Sequence, residues 1–425
     1  MTGLRLMVAI LVDTAIEAEI EIDTLIIGGG AAGLTAALAA CEAGSSVLIA
    51  ERETVLSGST ALSSGLIPAA GTAIQLEQSI EDTVDIFYSD IMAKNKNKAD
   101  PDYVRRIVTQ IPKTIDWLTA AHNIPFIVLD NFLYPSHTNH RMHAVPEVTG
   151  SGLIERLEVA VRAQDITIVT DLQITDLVVT AQGEALGAYC QRPDGSQESI
   201  AARSIILACN GYGGNPELVA QYIPEMHDAL YFGHPGNQGE AVIWGQQLGA
   251  EIAHLSGYQG HGSVAHPHGI LVTWALMMEG GIQVNRLGKR FSNEHQGYSE
   301  QAVSVLAQPD RIAFNIFDER LCELGRGFED FRVAEEAQAI IRANTPAELA
   351  EELGINPDDL TETLAECSAF SQSGEADSFG RIFNLEKQLI PPYCAVRVTG
   401  ALFHTQGGLV VNEKAQIYRD DRSVF

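Results

Sequence analysis

The feature that most constrains the fold is a glycine-rich segment between a short apolar run and a helix-forming run. Gly28, Gly30 and Gly33 match the pattern G-x-G-x-x-G, with the apolar run 22–27 before them and the helix-forming run 34–42 after them. The first glycine permits a tight turn, the second lets the backbone approach a pyrophosphate, and the third lets the helix pack on the strand. Because a helix N-terminus then faces the phosphates, the segment predicts a dinucleotide site.

A carboxylate lies where such a site needs one. A second apolar strand, 46–50, ends at Glu51, which is 23 residues after Gly28. A carboxylate at this spacing can accept hydrogen bonds from both ribose hydroxyls and repels a 2′-phosphate. Strand, helix and strand within about 30 residues predict an α/β fold of Rossmann type, built on a parallel sheet. The motif alone does not separate FAD from NAD.

The composition restricts the binding partners and the cellular compartment that we expect for this chain. The 425 residues contain 27 basic and 55 acidic side chains, a formal net charge of −28, so nucleic acid is excluded as a partner because the chain repels phosphates. The apolar run 6–12 is shorter than the ~20 residues of a membrane helix, which predicts no transmembrane segment. Six cysteines without a C-x-x-C pair argue against a disulfide framework, an iron-sulfur site and attached haem, and predict a reducing, cytoplasmic location. No metal site is expected at His254, His261, His266 and His268, because no carboxylate or cysteine joins them at ligand spacing.

The rest of the chain divides by pattern. Helical spacing over 75–125 predicts two or three helices, interrupted at Pro101 and Pro112. Strand patterns over 166–207 predict a small antiparallel ribbon that returns to the main sheet. Residues 250–395 combine a histidine-rich loop, strand pieces and acidic helices, which indicates a separate α+β cap.

Several further segments carry a resemblance to a known family. Together with the glycine motif, they resemble the fumarate reductase and 3-ketosteroid dehydrogenase superfamily of FAD-dependent oxidoreductases, and they follow the family order between residues 22 and 412. The segments are Gly28 to Glu51, the Ser/Gly stretch 57–65, Ala208 to Gly213, the run 285–294 (NRLGKRFSNE) and His404-Thr405-Gln406-Gly407-Gly408.

The resemblance implies a Rossmann-type FAD-binding domain that is interrupted by a smaller α+β capping domain. Relatives continue past the position of Phe425 into a strand, a turn and a helix beside the flavin, so we expect a truncated chain with weakened FAD binding. The expected divisions are a leader of uncertain order at 1–21, the first part of the FAD-binding domain at 22–250, the substrate cap at 251–395 and an incomplete return segment at 396–425.

The resemblance also implies the residues around FAD. The Ser/Gly stretch falls where the family surrounds the pyrophosphate and the flavin ring, and two later segments fall near the adenine. The residues expected at the cofactor are Gly28, Gly30, Ala31, Ala32, Gly33, Glu51, Arg52, Gly58, Ser59, Thr60, Ser64, Gly65, Ile67, Ile174, Cys209, Asn210, Gly211 and Gly408.

The expected substrate residues follow from the same resemblance. In fumarate reductases a histidine that binds the substrate carboxylate precedes a threonine by twelve residues, and His261 and Thr273 have this spacing. Tyr298 falls where those reductases place the arginine that protonates the substrate, and ketosteroid dehydrogenases also present a tyrosine to the reacting carbon. His404 is expected to contact substrate beside the flavin, and Gly407 to bind it.

Two departures favour a particular substrate class. Where the reductases have a glutamate and an arginine for proton delivery, this chain has Trp274 and Met277, and neither can carry a proton. We therefore expect an oxidoreductase that acts on a carbon-carbon bond next to a carbonyl or carboxylate, with a ketone or steroid-like substrate and an unidentified electron donor or acceptor. A dicarboxylate or amino-acid oxidising flavoenzyme of the same superfamily is the alternative. An inactive, truncated nucleotide-binding relative is the alternative of another class.

Overall fold

The computed structural model describes residues 8–130, 133–134 and 136–425, and the chain forms two compact units. Unit 1 comprises the described residues up to Leu218, together with Gly233–Gly257 and Thr405–Phe425. Unit 2 comprises Val219–Phe232 and Tyr258–His404. The sequence analysis drew the cap at 251–395, so unit 2 begins and ends later and also takes in a short earlier segment.

The strands and helices are numbered in chain order. The strands are β1 (Ala9–Val12), β2 (Ile20–Ile27), β3 (Val47–Ala50), β4 (Ile67–Pro68), β5 (Ile127–Leu129), β6 (Met142–Ala144), β7 (Ile166–Val169), β8 (Gln173–Val179), β9 (Ala185–Gln191), β10 (Gln197–Leu207), β11 (Leu230–Tyr231), β12 (Ile252–Ala253), β13 (Tyr258–Ala265), β14 (Ile270–Leu271), β15 (Ile282–Val284), β16 (Ile312–Asp318), β17 (Ile340–Ala343), β18 (Tyr393–Thr405) and β19 (Gly408–Leu409). The helices are α1 (Ala31–Glu42), α2 (Gly58–Ala61), α3 (Ala73–Glu77), α4 (Val84–Lys94), α5 (Pro101–His122), α6 (Gly150–Arg162), α7 (Pro216–Tyr222), α8 (Glu240–Leu248), α9 (Ala275–Met278), α10 (Tyr298–Leu306), α11 (Glu319–Gly325), α12 (Glu329–Glu336), α13 (Pro346–Leu353) and α14 (Pro357–Ser373), with 3₁₀ turns at Pro224–Met226, Glu294–Gln296, Pro309–Arg311 and Leu385–Lys387.

The main sheet of unit 1 is parallel where the glycine motif lies. Its order is β1-β8-β9-β10-β2-β3-β7, and β10, β2, β3 and β7 run parallel. β8, β9 and β10 form the antiparallel ribbon that the sequence predicted. This arrangement confirms the predicted α/β class. Strand β2, which ends at Ile27, lies inside the sheet between β10 and β3.

The first strand falls in the segment that the sequence analysis assigned to a leader. Residues 1–7 of that segment lie outside the described residues. Ala9–Val12 form β1, which pairs in parallel with β8 from Ala9 opposite Asp176 to Val12 opposite Val179. Residues 9–12 of the apolar run therefore extend the edge of the main sheet.

The sheet of unit 1 is covered on both faces by apolar side chains. Leu25, Ile26 and Ile27 of β2 are buried, a continuous apolar run typical of a parallel strand with two covered faces. Ile26 packs in a core with α1 and α6, whereas Leu25 and Ile27 pack in a second core that includes Trp244 of α8. The two cores fix the position of the β2–α1 turn.

Helix α5 continues through a proline that the sequence analysis expected to interrupt it. Pro101 stands at its first turn, but Pro112 lies inside the helix and is buried. The buried positions Val104, Val108 and Ile115 form one apolar face, and their packing outweighs the lost backbone hydrogen bond. Among the described residues, no helix combines the length and apolar character needed to cross a bilayer.

Unit 2 is built on a mainly antiparallel sheet. Its path is β14-β13-β18-β16-β15, and β11 and β17 also pair with β18. The long strand β18 runs antiparallel to β16 and β17. Apolar cores lie against this sheet, one containing Phe317 and Phe331 and another containing Phe314 and Leu360. The unit is thus an α+β fold, as the resemblance implied.

Candidate functional site

The β2–α1 turn has the geometry that the glycine pattern predicts. Gly28 has φ of +110°, and a side chain there would meet the carbonyl oxygen of Ala208 at 2.5 Å. A Cβ on Gly33 would overlap the carbonyl oxygen of Gly28, so this position lets α1 pack on the turn. Gly30 is different, because a Cβ there would meet only Thr60 Oγ1 at 3.6 Å. Gly30 therefore keeps the N-terminus of α1 open to a ligand.

A cavity of about 400 Å³ opens in front of this turn. It lies within unit 1, at the carboxyl ends of β2 and β3, where open α/β sheets bind ligands. The sequence-predicted residues that line it are Gly28, Gly30, Ala31, Ala32, Glu51, Arg52, Gly58, Ser59, Thr60, Ile174, Cys209 and Asn210.

Glu51 is almost fully buried at the cavity wall, with 9% of its surface exposed. Its Oε2 accepts a hydrogen bond from the backbone N–H of Gly29 at 2.8 Å, and its Oε1 accepts one from that of Glu53 at 3.0 Å. Each carboxylate oxygen has further acceptor capacity. Glu51 thus fixes the glycine turn and can also accept from vicinal hydroxyl groups.

Two hydroxyl side chains of α2 shape the opposite wall. Thr60 Oγ1 accepts from the backbone N–H of Ala31 at 3.2 Å. Ser59 Oγ lies 2.8 Å from Nδ2 of Asn237, which donates to it. These bonds hold the Ser/Gly stretch against the N-terminus of α1, which carries the positive end of the helix dipole. The cavity is therefore suited to an anionic ligand.

The sequence analysis missed the wall supplied by α8 and the loop before it. Glu240 is 3% exposed, and its Oε1 lies 2.6 Å from Nη2 of Arg52. Its other oxygen, Oε2, and Nε1 of Trp244 are both buried and have no hydrogen-bond partner among the described residues. The only signal in the sequence was the four-residue spacing of Glu240 and Trp244, which puts both on one face of a helix. The missed lining residues include His234, Gly236, Asn237, Glu240 and Trp244.

Glu240 Oε2 and Trp244 Nε1 indicate that the cavity fits a polar ligand. Buried polar groups are nearly always hydrogen-bonded, so a carboxylate oxygen and an indole N–H at a cavity wall mark places for a ligand's donor and acceptor. The same wall offers the apolar surfaces of Ile174 and Leu207 for a flat ring. Burial raises the pKa of the Cys209 thiol to about 12, so this lining side chain is neutral.

Other residues predicted at the cofactor do not line the cavity. Gly65 has φ of +66°, and a Cβ there would meet the carbonyl oxygen of Thr149 at 2.8 Å, so it lets the Ser/Gly stretch approach α6. Gly408 belongs to β19, which pairs with β12. The residues in this group are Gly33, Ser64, Gly65, Ile67, Gly211 and Gly408.

Within unit 2, an aromatic cluster surrounds the predicted substrate histidine. The ring of His261 is stacked between those of Tyr298 and Phe403, with centroid distances of 5.1 and 5.2 Å. Trp274 meets it edge-on at 5.6 Å. His261 lies on β13, Tyr298 starts α10, and Phe403 lies on β18. The structure thus brings together two of the predicted residues, His261 and Tyr298.

Burial sets the protonation of this cluster. It lowers the pKa of His261 to about 3, and the Nδ1 atom accepts from the backbone N–H of Ser263 at 3.1 Å. The imidazole is therefore neutral, with its proton on Nε2. Burial, followed by the negative charge of Glu300, raises the pKa of Tyr298, which keeps the phenol protonated.

The remaining predicted substrate residues are placed by local contacts. His404 Nε2 donates to Oε1 of Gln259 at 2.9 Å, which orients the ring at the end of β18. Thr273 Oγ1 accepts from the backbone N–H of Ala275 at 3.3 Å at the start of α9. Gly407 belongs to unit 1, where a Cβ would overlap the backbone of His254. Gln259 is a further side chain that the sequence analysis did not predict.

A buried ion cluster holds the segment before Tyr298. Glu294 is fully buried, and Arg290 and Arg381 contact its Oε2 at 2.6 and 2.8 Å. Although burial raises the pKa of this carboxyl group, the guanidinium groups lower it to about 2. Trp274 Nε1 donates to the carbonyl oxygen of Glu294 at 3.3 Å. The Trp274 indole is therefore part of this structural support.

His295, the other ionisable side chain near Tyr298, is engaged elsewhere. Its Nε2 lies 3.1 Å from the carbonyl oxygen of Met277 and donates to it. Burial, together with the charge of Arg381, lowers its pKa to about 4. His295 is therefore neutral, and Tyr298 stands apart from it in the aromatic cluster.

A parallel sheet, a glycine turn at a helix N-terminus and a carboxylate at the end of the next strand together define a dinucleotide-binding protein. Residues 23–425 match the family described as "FAD binding domain". The chain belongs to this family, and FAD is the cofactor. The predicted resemblance and cofactor are thereby confirmed.

Individual relatives agree with the predicted oxidoreductase class. The chain is 28% identical to a probable fumarate reductase of Shewanella frigidimarina over 92% of its own length and 66% of the relative's. It is 26% identical to an NADH:fumarate oxidoreductase of Klebsiella pneumoniae over 94% of its own length and 43% of the relative's. The chain thus spans about two thirds and under half of these two proteins.

Solved structures have the same fold. The open conformation of a flavocytochrome c3 fumarate reductase matches with a TM-score of 0.80 and 26% identity, over 96% of this chain and 72% of that one. The 3-ketosteroid-Δ4-(5α)-dehydrogenase of Rhodococcus jostii matches with a TM-score of 0.76 and 20% identity, over 98% of this chain and 91% of that one. At 20% identity the second match supports the fold alone.

Proposed function

We propose that this chain is a FAD-dependent oxidoreductase that adds or removes hydrogen across a carbon-carbon bond next to a carbonyl or carboxylate. The observation that carries the proposal is the protonated phenol of Tyr298, stacked on the neutral ring of His261 in unit 2. A buried phenol and a buried neutral imidazole suit proton exchange with carbon and stabilisation of an enolate. The FAD cavity of unit 1 supports the redox half of the reaction.

The cofactor residues have separable tasks in this proposal. FAD, when bound, supplies the hydride donor or acceptor. Glu51 binds the ribose hydroxyls, and the N-terminus of α1 at Gly30 binds the pyrophosphate. Glu240 and Trp244 bind polar atoms of the adenosine half, because their Oε2 and Nε1 are buried without a protein partner among the described residues. Ile174 covers the adenine ring.

The substrate residues divide proton transfer from carbonyl binding. Tyr298 gives its hydroxyl proton to the carbon next to the hydride position in reduction, the direction that its protonated phenol suits. His261 donates from Nε2 to the substrate oxygen, since its Nδ1 already accepts from Ser263. His404, oriented by Gln259, binds the same carbonyl or carboxylate group. A hydrogen bond that strengthens as charge develops on this oxygen lowers the barrier.

Trp274 and Met277, at the positions where the resemblance implies proton-carrying residues in fumarate reductases, favour a ketone or steroid-like substrate. Trp274 and Met277 are both buried, and Trp274 is bonded to the backbone of Glu294. Neither side chain can relay a proton. A dicarboxylate or amino-acid substrate is the second candidate, and the names of the fumarate reductases that the chain matches favour it. The electron donor or acceptor and the cytoplasmic location remain predictions.

The first experiment separates an enzyme from an inactive nucleotide-binding relative. Apo-protein is reconstituted with FAD, and its visible spectrum is followed during dye-coupled turnover with ketosteroids, fumarate and unsaturated acyl compounds. We expect bound flavin that is reduced or reoxidised by a ketone of this set. Bound flavin that reacts only with dicarboxylates would select the second candidate. A protein that binds FAD but reacts with no member of the set would contradict the proposal.

The second experiment tests the role of Tyr298. We predict that Tyr298→Phe lowers turnover of the identified substrate by about 10²–10⁴, because general acid-base catalysis contributes this much, while flavin content stays normal. Tyr393→Phe is the matched control, since Tyr393 lies at the opposite end of β18 from His404. Turnover within a factor of about three of the parent would remove Tyr298 from proton transfer.

A further inference from the structure

Two cysteines that are distant in the sequence meet inside unit 2. The Sγ atoms of Cys322 and Cys394 lie 3.4 Å apart, although 72 positions separate the residues in the chain. Cys322 lies on α11 and Cys394 on β18, and neither side chain is exposed. Buried single cysteines usually act as small apolar side chains. Because their sulfur atoms are in direct contact, these two cysteines are positioned for disulfide formation as well as for packing.

Charged side chains cover the pair on the surface side. Arg342, the register partner of Cys394 on β17, places Nη2 at 3.9 Å from Cys322 Sγ. Glu319 places Oε2 at 4.0 Å from Cys394 Sγ. The Arg342 and Glu319 side chains are 40% and 39% exposed, so the sulfur atoms lie one side chain below the surface. A small polar oxidant needs only a local movement of these two side chains to reach them.

We propose that Cys322 and Cys394 form a reversible disulfide that is driven by a small peroxide and ties α11 to the central strand β18. Closing the bond requires the sulfur atoms to approach from 3.4 Å to about 2.0 Å, a side-chain adjustment. All six cysteines are free thiols in the structure, so the bond is open to form. The inference does not depend on the proposed function.

The chemistry of the step balances with a peroxide as oxidant. One of the two thiols ionises and releases its proton to solvent, and its thiolate attacks one peroxide oxygen, so that the O–O bond breaks and sulfenic acid and hydroxide form. The other thiol gives its proton to that hydroxide, and its sulfur attacks the sulfenic sulfur. The S–S bond forms and the S–O bond breaks, releasing a second hydroxide that takes up the proton released by the first thiol. Both sulfur atoms are oxidised and the two peroxide oxygens are reduced to two water molecules.

Opposite charges contact the two sulfur atoms, the Arg342 guanidinium at Cys322 and the Glu319 carboxylate at Cys394. Cys322 donates its thiol hydrogen toward Cys394 Sγ, and this hydrogen bond lowers the pKa of the Cys394 thiol despite its burial. The Arg342 guanidinium adds positive charge on the same side. Either thiol can ionise first, because the sulfur-sulfur contact places the other one to resolve the sulfenic acid.

A metal site is the rival for the same residues. Glu319, Cys322 and Cys394 place one ligand atom each within 4.8 Å of one another. Arg326 holds the Glu319 carboxylate at 2.9 Å, and Arg342 approaches it at 3.5 Å. Two guanidinium groups beside three ligand atoms oppose a divalent cation, and structural zinc takes four ligands. The charges thus favour disulfide chemistry.

The test is mass spectrometry on the full FAD-reconstituted chain. Reduced protein is treated with hydrogen peroxide, blocked with N-ethylmaleimide and digested with trypsin. We expect the peptide 321–326, which contains Cys322, to be linked to the peptide 388–397, which contains Cys394, and dithiothreitol to release it. Cys322→Ser and Cys394→Ser should each abolish the linked peptide, whereas Cys367→Ser should leave it unchanged. Circular dichroism before oxidation checks that every variant is folded.

A second readout is thermal stability. Oxidation should raise the unfolding midpoint of the parent protein and of Cys367→Ser by about 5 °C or more, because the bond closes a long loop. It should not raise that of Cys322→Ser or Cys394→Ser. Conversion of both thiols to sulfinic acids without a linked peptide would overturn the proposal. So would stoichiometric zinc that survives dialysis and protects both thiols from N-ethylmaleimide until a chelator is added.

Discussion

Glu51 performs two tasks at the level of a single residue. Its carboxylate oxygens accept hydrogen bonds from the backbone N–H groups of Gly29 and Glu53, and the same oxygens border the FAD cavity. The side chain therefore connects the glycine turn to the end of β3. We therefore expect its replacement to affect the shape of the turn and, in the proposed role, the binding of the ribose.

We predict that Glu51→Ala weakens FAD binding about tenfold or more. Loss of hydrogen bonds to a charged acceptor typically costs about 1.5–3 kcal/mol, and every 1.4 kcal/mol is tenfold in affinity. Titration of apo-protein with FAD measures the change. Glu77→Ala is the control, because Glu77 is an exposed carboxylate at the end of α3 that does not line the cavity. Unchanged affinity in Glu51→Ala would place the ribose elsewhere.

Within the β2–α1 unit, Gly30 and Gly33 are required for different reasons. Gly33 lies inside the helix against the turn, where a Cβ would overlap the Gly28 carbonyl oxygen. Gly30 caps the helix at the cavity, where a Cβ would meet the protein only at an ordinary contact distance. Gly33 serves packing, whereas Gly30 leaves space at the cavity, although both belong to the same motif.

We predict that two alanine substitutions separate these tasks. Gly33→Ala should lower the stability of the apo-protein, because backbone atoms of β2 and α1 must move apart. Gly30→Ala should leave apo stability within about 0.5 kcal/mol of the parent. It should nevertheless reduce FAD affinity at least tenfold, since its methyl group occupies the phosphate position. Urea unfolding and FAD titration measure the two effects. Equal stability losses in both variants would contradict this division.

The element scale also explains why one helix boundary was predicted wrongly. Proline disfavours a helix interior, so Pro112 indicated a break. In the folded chain, α5 buries Val108 and Ile115 on either side of it. Whether a helix continues through a proline depends on apolar packing against other parts of the chain, and the local sequence does not contain that information.

For the whole molecule, the buried groups predict sensitivity to acid. The pKa of His261 is lowered to about 3 by burial, and an unfolded histidine titrates near 6.5. The unfolded chain therefore binds a proton that the folded chain excludes as pH falls from 6.5 toward 3. Glu294, with a pKa of about 2, adds a loss of stability as pH falls from 4.5 toward 2. Stability is fully present above pH 6.5 and decreases below it.

We predict that His261 alone accounts for about 2 kcal/mol of lost stability between pH 7 and pH 5. His261→Gln cannot take up this proton, so its free energy of unfolding should decrease less over the interval by about that amount. His268→Gln, at an exposed position of the same unit, should keep the parent's pH dependence. Urea unfolding at both pH values provides the comparison. An unaltered dependence in His261→Gln would mean that the imidazole is accessible to protons.

The sequence by itself determined the FAD turn, because strand, turn and helix are consecutive and the spacing from Gly28 to Glu51 fixes both ends of a single β-α-β unit. It also indicated the α+β character of the second unit. Only the tertiary structure decided which distant side chains meet there. Glu240 and Trp244 reach the FAD cavity through the packing of α8, and Phe403 completes the stack on His261 from another strand. The contact of Cys322 with Cys394 likewise depends on the path of β18, because burial and pairing across long chain separations are properties of the folded core rather than of local pattern.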